Sequence, residues 1–180
     1  MTISGLPGSG KSTVAKGVAE NLGFRHYSTG NIQRELAKER GLSITEWGER
    51  EAADKSFDEM IDNKTKEIAE REEDMVMDSW LAPHFVKDAF KIFLECREEE
   101  RARRRLYHKR KEERFESMED TLRDMRERVE SNRQRWLRFY GYDFLDKGNY
   151  DVVVDTTKLD SSEVIEKVTK LIEEWRAEQK

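Results

Sequence analysis

Cysteine and proline are both scarce in this 180-residue chain. The single cysteine, Cys96, excludes an internal disulfide and is typical of a protein from the reducing cytosol. The two prolines, Pro7 and Pro83, are expected in loops. Long apolar runs are missing as well, and the chain opens on a candidate strand rather than on a signal peptide. We therefore expect a cytoplasmic protein that makes no membrane contact.

A basic excess is also lacking. The chain has 34 Lys and Arg residues against 39 Asp and Glu residues, which gives a formal net charge of −5. That balance argues against a general nucleic-acid binder, which usually carries a basic excess, although basic residues cluster locally from 101 to 111. The length predicts one domain over residues 1–180, and we expect a monomer whose partners are small molecules.

The most informative segment is GLPGSGKS at residues 5–12, which matches the phosphate-binding pattern G-x-x-x-x-G-K-[ST]. Gly5, Gly8 and Gly10 permit positive φ and a close approach of the backbone to a ligand. Lys11 can reach the β- and γ-phosphates, and the Ser12 hydroxyl can ligate Mg²⁺. A candidate strand precedes the loop and a helical apolar spacing follows it. This order favours a true nucleotide site over a chance match in a glycine-rich loop.

Apolar runs and helical periodicities alternate along the chain, which predicts an α/β fold. Strands are expected at residues 2–4, 24–27, 75–78, 91–94 and 150–154. Helices are expected at residues 11–22, 31–40, 43–55, 56–71, 98–111 and beyond, 117–140 and 161–177. The runs Met-Val-Met and Val-Val-Val are typical of parallel strands that are buried on both faces. The prediction is a three-layer P-loop sandwich with helices on both faces of the sheet.

Residues 97–128 are rich in Arg and Glu and nearly devoid of large apolar residues. One interpretation is a solvated helical hairpin held by ion pairs between neighbouring turns. The other is a mobile lid that closes arginines over phosphates, because a helix without an apolar stripe is weakly docked. The composition does not choose between these interpretations. It also leaves open which arginines contact phosphates among Arg101, Arg104, Arg105 and Arg110.

Four segments together resemble the archaeal branch of the cytidylate kinases, which are P-loop nucleoside monophosphate kinases. They are GLPGSGKST at the loop, HYSTGNIQRELAKERG at 26–41, RVESNRQRWLRFYGYD at 128–143 and YDVVVDTT at 150–157. The loop occurs in many families, whereas STG-x-x-x-R and R-x-x-x-N-x-x-R-[WY] are more specific. The resemblance implies a five-stranded parallel sheet, monophosphate-binding helices at 31–72 and a lid at 97–128. It also implies phosphoryl transfer from ATP to CMP or dCMP with Mg²⁺.

The resemblance also implies roles for individual residues. The residues implied to bind the ATP phosphates are Gly5, Leu6, Pro7, Gly8, Ser9, Gly10, Lys11, Ser12 and Thr13. Those implied to bind the acceptor are Thr29, Gly30, Arg34, Asp78, Trp80 and Asn132. The implied catalytic residues are Lys11, Arg128 and Arg135, and the implied metal ligands are Ser12 and Asp78. Residues 155–157 would border the adenine of ATP.

Two positions depart from the family pattern. Trp80 stands where the family has an arginine that recognises the cytosine ring. A tryptophan can stack on a base but cannot form the paired hydrogen bonds of an arginine. A Trp80 that is packed in the core without a ligand contact is the alternative. Asn31 replaces a carboxylate at the start of the acceptor-binding helix, so base recognition is the open part of the prediction.

Three functions therefore come into consideration. The first is a CMP or dCMP kinase. The second is a P-loop kinase with another acceptor, such as AMP, UMP or a nucleotide-like small molecule. The third is a non-catalytic protein that uses nucleotide binding as a switch. The intact Lys11, Ser12 and Arg34 disfavour the third, because phosphoryl transfer depends on positioning and charge neutralisation.

Overall fold

The computed structural model describes residues 1–107 and 117–179. Its sheet has five parallel strands in the order β2-β3-β1-β4-β5. The strands are β1 (Thr2–Gly5), β2 (Arg25–Ser28), β3 (Met75–Asp78), β4 (Lys91–Glu95) and β5 (Val152–Asp155). β1 and β3 are buried at every residue, as strands covered on both faces must be. The five-stranded parallel sheet confirms the predicted fold class.

Eight α-helices occur in the described residues. They are α1 (Lys11–Leu22), α2 (Thr29–Glu39), α3 (Ile44–Ala53), α4 (Lys55–Arg71), α5 (Ala82–Phe85), α6 (Glu98–Tyr107), α7 (Met118–Tyr140) and α8 (Ser161–Glu178). α6 is described as far as Tyr107. The rest of the helix predicted from residue 98, Arg110 and the middle of the 97–128 segment lie outside the described residues.

Three local predictions were wrong. Pro83 lies in the first turn of α5 instead of in a loop. An N–H in the first turn of a helix has no acceptor within the helix, so a proline, which lacks the N–H, is tolerated there. β5 begins at Val152 instead of residue 150. It is an edge strand with Val153 37% exposed, so the valine run is not buried on both faces. α2 begins at Thr29, directly after β2 and two residues earlier than expected.

The sheet separates two apolar layers, and β3 contributes to both. Val76 joins the cluster formed with α1 and α8, whereas Met75 and Met77 join the cluster formed with α2, α3 and α4. Successive residues of a strand point to opposite faces, which produces this division. A third cluster, which includes Trp80 and Trp136, joins α7 to the segment after β3. The carboxyl ends of β1 and β3 lie side by side, because these strands are parallel neighbours. Ligands of open α/β sheets usually bind at the carboxyl ends of the strands.

Candidate active site

The loop between β1 and α1 depends on glycine. Gly8 and Gly10 have φ of +81° and +87°, a region that L side chains rarely adopt. A Cβ on Gly8 would also lie 2.2 Å from the backbone oxygen of Arg101. Gly10 directly precedes the first turn of the 12-residue helix α1. Loop amides and the positive end of the helix dipole therefore meet at one place, which is the arrangement that binds phosphates.

Lys11 and Asp78 form an ion pair beside this loop. The Lys11 Nζ lies 3.0 Å from Asp78 Oδ1, and the Asp78 side chain is 1% exposed at the end of β3. The Ser28 hydroxyl donates to Asp78 Oδ2 at 3.4 Å, and the Thr29 hydroxyl donates to the Asp78 backbone oxygen at 3.4 Å. Ser12 follows Lys11 in the first turn of α1 and lines the same cleft. The structure thus brings together the side chains predicted for the phosphates and the metal.

The first turns of α2 carry three of the predicted acceptor residues. Thr29, Gly30 and Arg34 all line the cleft, and Arg34 is exposed. Arg34 donates from Nη2 to Asn31 Oδ1 at 2.5 Å. The Asn31 amide oxygen therefore orients the guanidinium, as a carboxylate oxygen would, without neutralising its charge. Arg34 keeps a full positive charge at the edge of the cleft.

The cleft has a volume of about 1730 Å³ and joins the phosphate loop to α2, α3, α4 and α7. Sites for one small ligand usually measure roughly 300–1,000 Å³, so this cleft has room for two nucleotides. Every residue predicted for the site lines it except Gly5. Gly5 ends β1 behind the loop, where its carbonyl oxygen accepts a hydrogen bond from Trp80.

A group of buried charges forms one wall of the cleft. Glu51 of α3 and Asp58 of α4 are 5% and 3% exposed. Arg135 of α7 lies between them, with Nε 2.9 Å from Asp58 Oδ2 and Nη2 3.6 Å from Glu51 Oε2. Gln33 of α2 donates to Glu51 Oε2 at 2.9 Å. We call Gln33, Glu51, Asp58 and Arg135 the carboxylate wall.

Burial controls the protonation of this wall. Desolvation raises the pKa of Glu51 to about 7, although the charge of Arg135 opposes the shift. Desolvation also raises the pKa of Asp58, against the effect of Arg135 and of Trp136, whose Nε1 donates to Asp58 Oδ1 at 3.2 Å. Buried carboxylates with perturbed pKa values in a cleft are typical of functional sites.

Sequence reasoning missed Glu51 and Asp58. In a chain with 41% charged residues, a helical carboxylate is most simply interpreted as a solvated side chain. One signal was available in α4, where Asp58 and Asp62 lie on the same buried stripe as its apolar residues. A carboxylate on a buried stripe requires a polar partner. The partners come from α7, more than 70 residues away, and no local pattern indicates them.

The arginines predicted on α7 have different surroundings. Arg135 is 9% exposed within the carboxylate wall, and its Nη2 also donates to Asn132 Oδ1 at 3.0 Å. The guanidinium carbon of Arg128 lies 5.5 Å from the ring centroid of Trp80. Asn132 donates from Nδ2 to the Arg128 backbone oxygen at 2.7 Å. The phosphate roles of both arginines stay predictions, and Arg135 would have to leave two carboxylates to reach a phosphate.

Trp80 is engaged by protein groups. It is 8% exposed, and its Nε1 donates to the Gly5 carbonyl oxygen at 2.6 Å. Its ring stacks on Phe144 with the centroids 5.0 Å apart, and Trp136 meets it edge-on. These contacts tie the end of β1 to the third apolar cluster. Because the ring also lines the cleft, the stacking of a base on it stays a prediction.

The arginines of α6 fix this helix to its neighbours. Arg101 donates to two backbone oxygens, one of them Pro7 in the phosphate loop, at 3.1 and 3.3 Å. Arg104 donates at 2.7 and 3.1 Å to two backbone oxygens of the segment after β5. Arg105 lies 2.9 Å from Asp124 Oδ2 of α7. α6 is therefore attached to both the loop and the segment predicted to border adenine.

The fold is similar to that of solved shikimate kinases. The shikimate kinase of Bacteroides thetaiotaomicron has a TM-score of 0.68 to this structure, with 18% identity over 96% of this chain and 97% of that chain. The shikimate kinase of Acinetobacter baumannii has a TM-score of 0.64, with 20% identity over 95% and 90%. At these identities the likeness concerns the fold alone.

Sequence comparison identifies the family more closely. The cytidylate kinase-like family model matches residues 1–158, and the chain belongs to this family. The cytidylate kinases of Natronomonas pharaonis and Archaeoglobus fulgidus are 38% and 33% identical to it, over 88% and 96% of this chain and 81% and 94% of theirs. The family resemblance and the prediction of a kinase-like enzyme are confirmed.

A relative with another name also matches. A protein of Lacinutrix mariniflava named S-adenosylmethionine-dependent nucleotide dehydratase is 36% identical over 91% of this chain, which spans 34% of that protein's length. Within residues 1–107 and 117–179, no helix is long and apolar enough to cross a membrane. The monomeric state and the cytoplasmic location stay predictions.

Proposed function

We propose that this protein transfers the γ-phosphoryl group of ATP to CMP or dCMP, with Mg²⁺ as the metal. The observation that carries the proposal is the Lys11–Asp78 pair beside the phosphate loop, in a cleft large enough for two nucleotides. Membership of the cytidylate kinase-like family supports the choice of acceptor. Phosphoryl transfer needs two ligands held in line and positive charge near the transferring group. The volume of the cleft and the position of Lys11 beside the loop support the proposal on both points.

Lys11 acts on the donor. The loop amides bind the β-phosphate oxygens, and Lys11 moves from Asp78 to the oxygens of the transferring group as negative charge spreads over them. A charge that is already positioned in a partly dry cleft stabilises the transition state more than the same charge in water. Asp78 keeps the ammonium ion oriented toward the cleft until the phosphates arrive.

The residues present fit a Mg²⁺ ion. Mg²⁺ is usually held by one or two carboxylates together with substrate phosphates and water rather than by a cage of protein ligands. Asp78 supplies one buried carboxylate and Ser12 supplies a hydroxyl in the same cleft. When bound, Mg²⁺ neutralises charge on the β- and γ-phosphates. Asp78 and Ser12 are the residues that we propose for holding it.

Arg34 and Arg128 act at the acceptor end. We propose that Arg34 binds the acceptor phosphate, because its charge is not neutralised by Asn31 and it faces the cleft. Arg128 reaches the transferring group from α7. We also retain the lid proposal for residues 97–128. Arg101 attaches the first part of this segment to the phosphate loop. We therefore expect the movement in its later part, residues 117–128.

An ADP-release assay across CMP, dCMP, UMP, AMP and GMP tests the proposal. We expect CMP and dCMP to give the highest kcat/KM, and we expect turnover to require Mg²⁺. The control is ATP alone, which measures hydrolysis without an acceptor. A protein that phosphorylates none of these nucleotides would contradict the proposal.

A kinase with another acceptor is the second candidate, and Trp80 is the observation that favours it. The cytosine-reading arginine of the family is replaced by a side chain whose only polar group donates to Gly5. The same assay decides between the candidates. A preference for AMP or UMP over CMP would establish this second function.

A further inference from the structure

The carboxylate wall places two acidic side chains and one arginine in a desolvated position. Glu51 and Asp58 share one arginine, and both carboxylates are nearly buried. Taking an ionised group out of water costs several kcal/mol unless partners compensate, so such an arrangement is seldom a means of stabilising a fold. The wall also lines the cleft instead of lying inside an apolar layer. A ligand group is the natural additional partner.

The two carboxylates are satisfied to different degrees. Asp58 accepts a hydrogen bond from Trp136 Nε1 and forms an ion pair with Arg135, whose Nε lies 2.9 Å from Asp58 Oδ2 without the alignment of a hydrogen bond. Glu51 accepts from Gln33 and also has the Trp47 side chain beside it. Its Oε2 lies 3.6 Å from Arg135 Nη2, which is too far for a hydrogen bond. Asp58 therefore fixes the position of Arg135. Glu51 and Arg135 each keep hydrogen-bonding capacity for a group in the cleft.

A carboxylate next to a guanidinium is a pair made of an acceptor and a donor. Cytosine presents the complementary pair, since its N4 amine donates and its N3 accepts. Adenine offers the same pattern at N6 and N1. Uracil and guanine reverse it, with an exocyclic oxygen where the amine would be. Carboxylate side chains recognise the N4 amine of cytosine elsewhere, and a well-formed pair of contacts discriminates against the wrong base by about 1–3 kcal/mol.

We infer that the Glu51 carboxylate accepts a hydrogen bond from the exocyclic amine of the acceptor base, while Arg135 donates to the adjacent ring nitrogen. This role replaces the phosphate role that the sequence predicted for Arg135. Asp58 and Gln33 are positioning residues for this pair. The inference rests on the proposed function and adds the residues that select its acceptor base. Gln33 and Arg34 are consecutive residues of α2 and both line the cleft, so the wall shares the cleft with the residue proposed for the acceptor phosphate.

The placement of Trp80 supports this assignment. Its indole N–H donates to Gly5, and its ring is stacked on Phe144. It therefore offers no hydrogen bond for reading a base edge. Stacking discriminates weakly among bases, because every base has a π-face. Steep selectivity between CMP and UMP would need a different group, and the carboxylate wall is placed to supply it.

The test is the ratio of kcat/KM for CMP to that for UMP in the wild type and in Glu51→Gln. The glutamine has the same shape, but its amide can rotate to present either an oxygen or an NH₂ group. We expect the ratio to fall about tenfold or more, with the KM for ATP unchanged. The matched control is Glu49→Gln, an exposed acid on the same helix, which should keep the wild-type ratio.

A second variant keeps the inference testable if Glu51→Gln does not fold. Gln33→Met removes the amide that orients Glu51 and should lower the CMP-to-UMP ratio by a few-fold. A wild type that phosphorylates CMP, combined with an unchanged ratio in whichever of these variants folds, would overturn the inference and leave the proposed function standing. A wild type that phosphorylates no nucleoside monophosphate would overturn the proposed function itself.

Discussion

The phosphate loop and the carboxylate wall, at the two ends of the cleft, present opposite kinds of charged group to a ligand. The phosphate loop is a contiguous stretch that carries one lysine, and it directs backbone amides at an anion. The carboxylate wall is assembled from four helices and buries two acids around one arginine. The first arrangement suits a phosphate chain that is common to all nucleotides. The second suits the edge of one kind of base.

This difference separates general from specific recognition. A phosphate chain has the same charge whatever base it carries, so backbone amides and one lysine are sufficient. A base is distinguished by donors and acceptors, and a desolvated pair of side chains discriminates because a mismatched base leaves buried groups unpaired. We therefore expect changes in the loop to affect rate with every acceptor, and changes in the wall to affect the choice of acceptor.

The largest effect is expected for Lys11→Met. Because the lysine charge acts mainly in the transition state, kcat should fall by about 10²-fold or more, equally for CMP and UMP. Steady-state kinetics measure this, with Lys16→Met as the control, since Lys16 is an exposed lysine of the same helix. Near wild-type turnover in Lys11→Met would contradict the role given to the phosphate loop.

Arg34→Ala should raise the KM for the acceptor roughly 10- to 100-fold and leave the KM for ATP unchanged. A hydrogen bond to a charged group contributes about 1.5–3 kcal/mol. Titration of CMP at saturating ATP measures the change, and Arg50→Ala, an exposed arginine of α3, is the control. Equal KM values in Arg34→Ala and the wild type would show that Arg34 is a surface residue.

The wall should also be visible in the pH dependence of stability. Burial raises the pKa of Glu51 from 4.5 to about 7 and that of Asp62 from 3.8 to about 6, so the folded state binds more protons than the unfolded state. Their contribution to stability is present below pH 4 and is lost as the pH rises through 6 to 7. When the pH is raised from 5.5 to 7.5, the ionisation of Glu51 alone should lower the free energy of unfolding by roughly 2 kcal/mol.

Urea unfolding at these two pH values, in the wild type and in Glu51→Gln, isolates that contribution. Asp58 and Arg135 face position 51 in both proteins. A difference between the two proteins in how the free energy of unfolding changes with pH is therefore caused by Glu51. The wild type should lose more stability than Glu51→Gln as the pH rises. Parallel pH dependences would mean that Glu51 titrates as an ordinary solvated acid.

The smallest effect concerns the proposed lid. Hydrogen exchange of residues 117–128 should slow when a bisubstrate analogue is added, because closure would order them over the phosphates. The start of α6 should change little, since Arg101 and Arg104 already attach it to the phosphate loop and to the segment after β5. Equal protection of residues 117–128 with and without the analogue would favour the static hairpin.

The contrast between the two ends also explains what could be predicted from sequence. The phosphate loop was recognisable because each requirement is local: glycine where φ is positive, lysine and serine at fixed steps after it. The parallel sheet followed from its apolar runs. The start of α2 and the edge position of β5 depend on how the elements pack together. The sequence pattern of each element therefore predicted its bounds only approximately.

The carboxylate wall could not be found in this way. Glu51 and Asp58 differ from dozens of other acids only in being buried, and their burial depends on α7. Trp80 was singled out from the sequence, but its contacts could not be predicted. The sequence placed it where the family has a cytosine-reading arginine, but only the structure shows that Gly5 takes its indole N–H.

The most direct test of the account follows the γ-phosphoryl group itself. ATP labelled in the γ-phosphate is incubated with the protein and an equimolar mixture of CMP and UMP, and the labelled products are separated. The account predicts that the label appears in CDP, with at least tenfold less in UDP, and that Lys11→Met blocks both. Label that remains in ATP, or that is released as inorganic phosphate to the same extent with and without CMP, would contradict it.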